Sequence, residues 1–287
     1  MENIDSPRVR GRRPPQGDPV VDRALALLAA FDVRHPSLSL AELSRRSEIP
    51  PSSALRLASR LVEWGALERG ADGRFVVGLR LWEVAALAPR ARGLRQVALP
   101  YMRDLSEVTR QHILLAVREG DEAVLVERLS TQRAMPVLYY VGGRLPLHST
   151  GVGLVLLAHA PAEFQDEVLA RPLVHEPEKI PVSAAALRRT LAQVRRDGLA
   201  IVHRQAPRPL VTVAAPIFDG DEQVIAALSV LVPEEGADSR ALGPAVRTAA
   251  RAVSRGLGSS AALGPDPAGG RTDADGRTEV DDPGAGG

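Results

Sequence analysis

The sequence of 287 residues contains no cysteine, and this single absence excludes several kinds of chemistry. Disulfide cross-links, thiolate zinc sites and cysteine nucleophiles are all ruled out. The sequence also lacks any run near the roughly 18 to 20 consecutive apolar residues that a membrane span needs, and its start lacks the apolar stretch of a signal peptide. We therefore expect a cytoplasmic protein that does not enter a membrane.

Lysine is almost absent as well, because Lys179 is the only one and the cationic side chains are nearly all arginines. The planar guanidinium of arginine suits contacts with phosphate and guanine. The net charge of +1 hides an uneven distribution, with arginines clustered at residues 8–13 and acidic residues at 273–282. This pattern favours a nucleic-acid partner only weakly, since a solvated basic arm and an acidic tail explain it equally well.

The length and the hydrophobic content of 45% predict two domains with separate cores. Residues 1–17 and 259–287 are rich in Gly and Pro and poor in large apolar side chains, so we expect a disordered basic arm and a disordered tail. Between them we predict a first domain at residues 18–79, a linker helix at 80–93 and a second domain at 94–258.

The first domain opens with two predicted helices. Apolar residues recur at helical spacing over residues 20–31, behind Asp18 as a candidate cap. Ser39 and Glu42 have the spacing of a capping box, which places the start of a second helix at Ser39. This helix ends near Arg46, because two prolines follow at positions 50 and 51.

A third helix is predicted from Pro51 to about Trp64, since proline is tolerated in the first turn. Its inward face is apolar and consists of Ala54, Leu57, Ala58, Leu61 and Trp64. Its outward face is polar and consists of Ser52, Arg56, Ser59, Arg60 and Glu63, with Ser53 beside it and Leu55 on the border. An ordinary surface helix would also turn polar residues outward, so the neighbouring elements decide the interpretation.

Two short predicted strands, at residues 66–69 and 74–77, flank an Asp-Gly pair that is typical of a hairpin. Three helices with a tight second-to-third turn, followed by a β-hairpin, predict a winged helix-turn-helix with its central motif at about residues 39–58.

Several segments carry a family resemblance. They lie at residues 21–25, 40–46, 49–57 and 73–78 in the first half, and at 141–153, 213–219 and 226–230 in the second. Through them the chain resembles the IclR family of bacterial transcription regulators over nearly all of residues 20–258. It departs from the family at Pro51 and Leu55, where Lys and His are common, and at residues 202–205, which are usually acidic. We therefore expect a different operator and a less acidic ligand pocket.

If the third helix enters the major groove, its first turns meet the bases. We predict that Ser52, Ser53 and Arg56 read bases, with Arg56 on guanine, and that Leu55 touches a thymine methyl group. Phosphate contacts are predicted for the remaining arginines of this surface, Arg45, Arg46, Arg60 and Arg74. A solvated helix end explains Arg45 and Arg46 equally well.

One short helix reads little sequence, so we expect a homodimer or a dimer of dimers on palindromic double-stranded operator DNA. The apolar segment at residues 81–87 is a candidate for pairing across the dimer axis, and packing against its own domain is an equal alternative.

The second half predicts an α+β domain with a mainly antiparallel sheet, which the family resemblance makes GAF-like. Helices are predicted up to residue 110 and at 152–159, 184–196 and 240–257, and strands at 112–118, 122–129, 135–141, 199–204, 210–215 and 224–232.

Signatures of an enzyme are missing from this half. The stretch at His148 lacks the Gly-x-Ser-x-Gly elbow, and Gly151-x-Gly153 lacks the third glycine of a dinucleotide site. No pair of histidines has the i, i+4 spacing of a metal site. We expect neither enzymatic activity nor a cofactor or metal.

A ligand pocket is better supported, and the family resemblance places it at Gly143, Leu145, Thr150, His203, Thr212 and Ser229. Ordinary cross-strand pairing would explain Thr212 and Ser229 equally well. We interpret His203 as the cation of the pocket and expect an organic acid or an aromatic metabolite as effector. The sequence thus predicts a sequence-specific, ligand-controlled transcription regulator, a repressor in preference to an activator. The alternative is a ligand sensor whose helix-turn-helix contacts protein.

Overall fold

The computed structural model describes residues 19–131, 134, 139–175, 180–204, 209–235 and 239–260. The chain divides into two compact units between Gly93 and Leu94. The predicted basic arm and the candidate cap Asp18 lie outside the described residues. The predicted tail is described only at Ser259 and Ser260, which both donate to the carboxylate of Glu222, so the ordered chain extends past residue 258.

The first unit has the predicted order of helices and wing strands. Its elements are α1 (Val20–Ala29), β1 (Ser37–Leu38), α2 (Leu40–Ser47), α3 (Pro51–Trp64), β2 (Leu67–Arg69), β3 (Phe75–Val77) and α4 (Leu79–Ala85). The three strands form an antiparallel sheet in the order β1-β3-β2. Strand β1 was not predicted, because two residues are too short to show a periodic pattern.

The predicted capping box at the start of α2 is present. Ser39 Oγ accepts from the Glu42 N–H at 3.3 Å, and the Ser39 N–H donates to Glu42 Oε2 at 2.8 Å. The same carboxylate oxygen accepts from Arg74 Nη2 at 2.8 Å, and this guanidinium also donates to the Ser37 carbonyl at 2.8 Å. The bonds from Ser39, with the charge of Arg74, hold the pKa of Glu42 below its ordinary value. One carboxylate therefore caps α2 and ties it to the wing.

The residue that follows the second wing strand, Gly78, lies very close to the end of α3. Gly65 ends α3 in the left-handed conformation with φ of +89°. A Cβ atom on Gly78 would lie 2.2 Å from the Gly65 carbonyl oxygen, so only glycine fits at position 78 without a backbone shift. The Gly78 N–H donates to the Ala66 carbonyl at 2.8 Å and fixes this approach.

The second unit contains a six-stranded sheet with helices on both faces. The unit boundary lies inside α5, and the elements from there on are α5 (Pro89–Thr109), β4 (His112–Glu119), β5 (Glu122–Leu129), β6 (Arg144–Pro146), α6 (Gly151–Ala158), α7 (Ala162–Leu169), β7 (Val174–His175), β8 (Ile180–Pro181), α8 (Ala184–Asp197), β9 (Ala200–Arg204), β10 (Leu210–Phe218), β11 (Val224–Pro233) and α9 (Ser239–Gly256). Among the described residues, no helix combines the length and apolarity needed to cross a bilayer.

The large sheet has the order β6-β5-β4-β11-β10-β9, and every neighbouring pair is antiparallel. Alternate residues of each strand point to opposite faces, so one strand serves two cores. Leu114 packs with α6 and α8 on one face, whereas Ile113 and Leu115 pack with α5 and α9 on the other. The fold class, α+β with a mainly antiparallel sheet, is as predicted.

Three details differ from the expectation. Residues 80–93 do not form one linker helix, because α4 ends at Ala85 and α5 begins at Pro89, a residue that favours a new helix start. Of the predicted strand at 135–141, residues 135–138 lie outside the described residues, and 139–141 are not in a strand. Strands β6, β7 and β8 were missed because they have only two or three residues each, and helix α7 was missed as well.

The close approach at Gly78 gives a testable expectation. Gly78→Ala forces the chain away from Gly65, and we expect a loss of about 1–3 kcal/mol in the unfolding free energy of the first unit. Both tryptophans, Trp64 and Trp82, lie in this unit, so denaturant unfolding followed by tryptophan fluorescence reports on it selectively.

The matched control is Gly93→Ala. A Cβ atom there meets no other atom within 4 Å, and the residue lies inside α5, where alanine is favoured over glycine. We expect no loss of stability for this variant. Equal unfolding midpoints for Gly78→Ala and the unchanged chain would show that the close approach does not constrain position 78.

Candidate functional site

Helix α3 carries the polar face that the sequence predicts. It starts at Pro51, and Ala54, Leu57 and Ala58 are buried against the first unit's core. On the opposite side Ser52, Arg56, Ser59, Arg60 and Glu63 are exposed, and Ser53 is half-buried. The structure therefore brings the predicted base-reading residues onto one accessible surface.

Leu55 and Trp64 lie at the edge of this polar face. Leu55 is 41% exposed, as its border position predicted. Trp64 was predicted to face inward, but it is 45% exposed, and the guanidinium of Arg80 stacks 4.9 Å from its ring centroid. Trp64 is the last residue of α3, whereas Leu61, one turn earlier, still packs against the core.

Of the four predicted phosphate-binding arginines, Arg45, Arg46 and Arg60 are exposed and Arg74 is half-buried, but only Arg45 and Arg60 have no partner outside their own helix in the structure as described. Arg60 Nη1 lies 2.6 Å from Glu63 Oε2 in a solvent-exposed ion pair, which is worth little and is easily exchanged for a phosphate. Both side chains are therefore accessible to a DNA backbone.

Arg46 and Arg74 instead have partners inside the first unit. Arg46 Nε donates to the Ala30 carbonyl at 2.6 Å, and its Nη2 lies 2.5 Å from Asp32 Oδ2. Burial tends to raise the pKa of Asp32, but hydrogen bonds from His35 and from the Arg34 and His35 backbone N–H groups outweigh it and lower the pKa to about 2. Arg46 and Arg74 thus have structural roles in the winged domain, and their phosphate contacts stay a prediction.

In the second unit, four of the six predicted pocket residues line one small cavity, with a free volume of about 10 Å³. These four are Leu145, Thr150, Thr212 and Ser229, and the remaining lining residues are Leu114, Tyr139, Gly151, Val152, Val202, Arg204 and Leu231. We call this space the ligand cavity. Its wall is mostly aliphatic, with a few polar groups, as a small-molecule site requires.

The start of α6 closes one side of the ligand cavity. Thr150 caps the helix, with Oγ1 accepting from the Gly153 N–H at 3.1 Å and donating to the Pro146 carbonyl at 2.8 Å. A Cβ atom on Gly151 would lie 2.6 Å from Cγ2 of Thr212. Glycine at position 151 therefore lets the helix start approach β10.

Ser229 is completely buried, and its hydroxyl has no hydrogen-bond partner among the described residues. Buried hydroxyl groups are nearly always hydrogen-bonded, because an unsatisfied one costs about 1–3 kcal/mol. The position of Ser229 on the cavity wall therefore suits a polar group of a bound molecule.

His203 does not line the ligand cavity, which corrects the sequence interpretation. Along β9, Val202 faces inward and His203 outward, where its Nδ1 lies 3.0 Å from Glu234 Oε1. The cation on the cavity wall is Arg204, whose Nη1 donates to the Tyr139 hydroxyl at 3.2 Å. The period-2 alternation of β9 is the signal that could have identified Arg204.

Gly143 lies beside the ligand cavity, in a smaller hollow that shares Tyr139 and Leu145 with it. The Gly143 carbonyl accepts from the Leu125 N–H at 2.9 Å, so its role in this structure is to hold the chain before β6 against β5. Within the described parts of the chain, no three His, Asp or Glu side chains gather closely enough to hold a metal ion.

Both units match known families. The model described as "IclR helix-turn-helix domain" matches residues 20–71. The model described as "Bacterial transcriptional regulator IclR C-terminal" matches residues 88–255.

Named relatives agree with these matches. The HTH-type transcriptional repressor AllR of Escherichia coli is 30% identical over 268 residues, which cover 89% of this chain and 98% of the relative. The Pca regulon regulatory protein of Pseudomonas putida is 31% identical over 218 residues, which cover 72% of each chain.

Solved structures agree as well. An IclR homolog complexed with 4-hydroxybenzoate from Microbacterium hydrocarbonoxydans is 37% identical, with a TM-score of 0.79 and coverage of 83% of this chain and 99% of the homolog. A transcriptional regulator from Rhodococcus is 26% identical with a TM-score of 0.72, over 83% of this chain and 97% of that one. The named relatives are regulators of transcription and not enzymes. The chain, with its winged helix-turn-helix and separate α+β unit, belongs to the IclR family of bacterial transcriptional regulators.

Proposed function

We propose that this regulator is a repressor that binds a specific operator through α3 and whose DNA affinity is controlled by a small organic acid in the ligand cavity. The observation that carries the DNA-binding part is the exposed face of α3, with two short hydroxyl side chains ahead of Arg56. A helix of this kind places its first turns on base edges when it enters the major groove.

The individual contacts follow from the chemistry of this face. The guanidinium of Arg56 can donate two hydrogen bonds to O6 and N7 of guanine, and the half-exposed Leu55 suits a thymine methyl group. Ser52 and Ser53 complete the base-reading set. Arg45 and Arg60 bind phosphates, which position the domain without reading sequence.

The ligand-binding part is supported by the cavity and by a relative. The cavity has an arginine, four hydroxyl groups and aliphatic walls, which suit a small molecule with one acidic group. The Microbacterium homolog, with its bound 4-hydroxybenzoate, is an aromatic-acid complex of the same family. Repression is supported by the Escherichia coli relative, which is named a repressor.

We further propose a homodimer that binds a palindromic operator. Helices α1 and α4 of the first unit expose large apolar side chains, which a second copy of the chain would bury. The most exposed of them are Val20, Val21, Leu25, Leu79, Trp82 and Val84. In a monomer, charged side chains at these exposed positions would favour solubility. The presence of apolar side chains there instead favours a surface that contacts another chain.

Arg56→Ala tests the DNA-binding proposal. A mobility-shift assay on DNA around the regulator's own gene should show that the unchanged protein binds one fragment selectively. The variant should lose about 1–3 kcal/mol of discrimination at the guanine that it reads. Arg60→Ala should instead weaken binding to all sequences alike and make binding less dependent on salt, because one phosphate contact is removed.

The control for both variants is Arg189→Ala, which removes an exposed arginine from α8 in the second unit and should leave binding unchanged. If the unchanged protein shifts no genomic fragment, the helix-turn-helix does not bind DNA, and a role in protein contacts replaces the proposal.

Trp82→Glu tests the dimer. A carboxylate in place of this side chain, which is 67% exposed in the single chain, would be buried without a partner in the dimer. We expect the dimer dissociation constant to rise by about tenfold or more in sedimentation velocity. Val33→Glu, at an exposed apolar residue outside α1 and α4, is the matched control and should change nothing. A Trp82→Glu variant that dimerises normally would place the dimer contact elsewhere.

A further inference from the structure

Helix α6 has a larger space at its other end. The first turn of α6 closes the ligand cavity, whereas Ala158, its last residue, lines an open cleft with a free volume of about 440 Å³. Among the described residues the two spaces share no lining residue. Small-molecule sites have volumes of roughly 300–1,000 Å³, so this cleft has room for a ligand of its own. We call it the α6 cleft.

Arg195 supplies a positive charge that protein contacts hold in place. It lies in the last turn of α8, and its Nη1 donates to the Ala158 carbonyl at 2.8 Å and to Gln165 Oε1 at 3.4 Å. Gln165 Nε2 in turn donates to the Ala160 carbonyl at 2.8 Å. A guanidinium has five N–H donors, so these contacts orient Arg195 without using all of them. Its planar fork suits a ligand carboxylate.

His159 supplies a hydrogen-bond acceptor in the same cleft. Its Nδ1 lies 2.9 Å from the Val155 carbonyl, which can only accept, so Nδ1 carries a proton. In the neutral ring Nε2 then has a lone pair, to which no described residue donates. Burial, together with the nearby charge of Arg195, lowers the pKa of His159 despite its bond to Val155. The ring is therefore neutral at pH 7, and Nε2 can accept from a ligand.

The turn between β10 and β11 completes the α6 cleft with a negative charge. The carboxylate of Glu222 is held there by Ser259 Oγ and by the Ser260 N–H, each at 2.7 Å. Beside it, the ring of Phe218 lies 6.1 Å from the ring of His159 in an edge-to-face contact. The other apolar lining residues are Ala158, Ala160, Ala162 and Val224. The cleft thus combines a guanidinium, a carboxylate, a neutral acceptor and an apolar wall.

We propose that the α6 cleft is a second small-molecule site and that it binds a zwitterionic amino acid with an apolar side chain. The ligand carboxylate pairs with Arg195, and the ammonium group donates to Nε2 of His159 beside the charge of Glu222. The side chain packs against Phe218. A simple acid or a simple amine matches only one of the two charges. This site goes beyond the proposed function, because it is separate from the ligand cavity.

Calorimetry on the full-length chain tests the inference with three probes of one shape. They are L-leucine, isocaproate, which lacks its ammonium group, and isopentylamine, which lacks its carboxylate. The unchanged protein should bind L-leucine about tenfold more tightly than either analogue, because each analogue leaves one charged contact unmade. L-valine, L-methionine and L-phenylalanine extend the range of side chains, and we expect binding of more than one of the four amino acids.

Two variants separate the two polar contacts. Arg195→Gln should weaken L-leucine about tenfold and abolish its advantage over isopentylamine. His159→Phe keeps an aromatic ring beside Phe218 but removes the acceptor, so it should weaken L-leucine about 3- to 10-fold and leave isocaproate unchanged. Arg196→Gln removes the next arginine of α8, which is exposed and does not line the cleft, and should change nothing.

The imidazole nitrogens give a readout that a purely structural role would not move. In nitrogen NMR the signals of His159 are identified by their loss in His159→Phe. Saturating L-leucine should shift the Nε2 signal of His159, because its lone pair becomes a hydrogen-bond acceptor. Isocaproate, which has no ammonium group, should leave that signal in place. Thermal unfolding verifies that each variant is folded.

Four results would overturn the inference. They are equal binding of L-leucine and isocaproate, L-leucine binding that survives Arg195→Gln, an unmoved Nε2 signal at saturation, or no binding of any of the four amino acids. Mobility shifts with operator DNA in the absence of any amino acid test the proposed function separately, so the failure of one is distinguishable from the failure of the other.

Discussion

The burial of strands β10 and β11 on both faces of the sheet is the constraint on which the second unit depends. In β10 every residue from Leu210 to Ile217 is buried, so alternate side chains must pack against two separate helical layers. A polar side chain in such a strand loses its contact with water. Ser229 is therefore a costly position for a hydroxyl group unless something in the ligand cavity binds it.

This constraint also explains why the cavity lies where it does. Helix α6 covers one face of the sheet, and glycine at positions 151 and 153 lets its first turn approach the strands. The helix start, the buried hydroxyl of Ser229 and the side chain of Arg204 consequently surround one small space. Several residues of the hydrophobic core also line the cavity, so the cavity forms when the sheet and its helices pack together.

The parts of the fold that depend on local chemistry could be predicted from sequence. The capping box at Ser39 and Glu42, the helix start at Pro51 and the hairpin at Gly73 each need only a few neighbouring residues. The three-residue β6 could not be predicted, because it leaves no periodic pattern. The helix break at residues 86–88 was missed, although Pro89 favours a helix start and marks it in the sequence.

The site was harder to predict, because its residues come together through distant contacts. Arg46 and Arg74 are predicted phosphate ligands, and the sequence could not show that Asp32 and Glu42, far along the chain, are their partners in the fold. The choice between His203 and Arg204 depended on which face of β9 meets the core. A shift of one residue reverses every side chain of a strand, so family resemblance alone placed the cation one position too early.

A ligand can change DNA affinity only by binding the DNA-competent and incompetent states unequally, and the same coupling must appear in both directions. The direct test measures the affinity of the operator fragment with and without 4-hydroxybenzoate, and the affinity of 4-hydroxybenzoate with and without operator. The account predicts that the acid weakens operator binding by about 5- to 150-fold and that operator weakens binding of the acid by the same factor. Tight binding of the acid with unchanged operator affinity would contradict it.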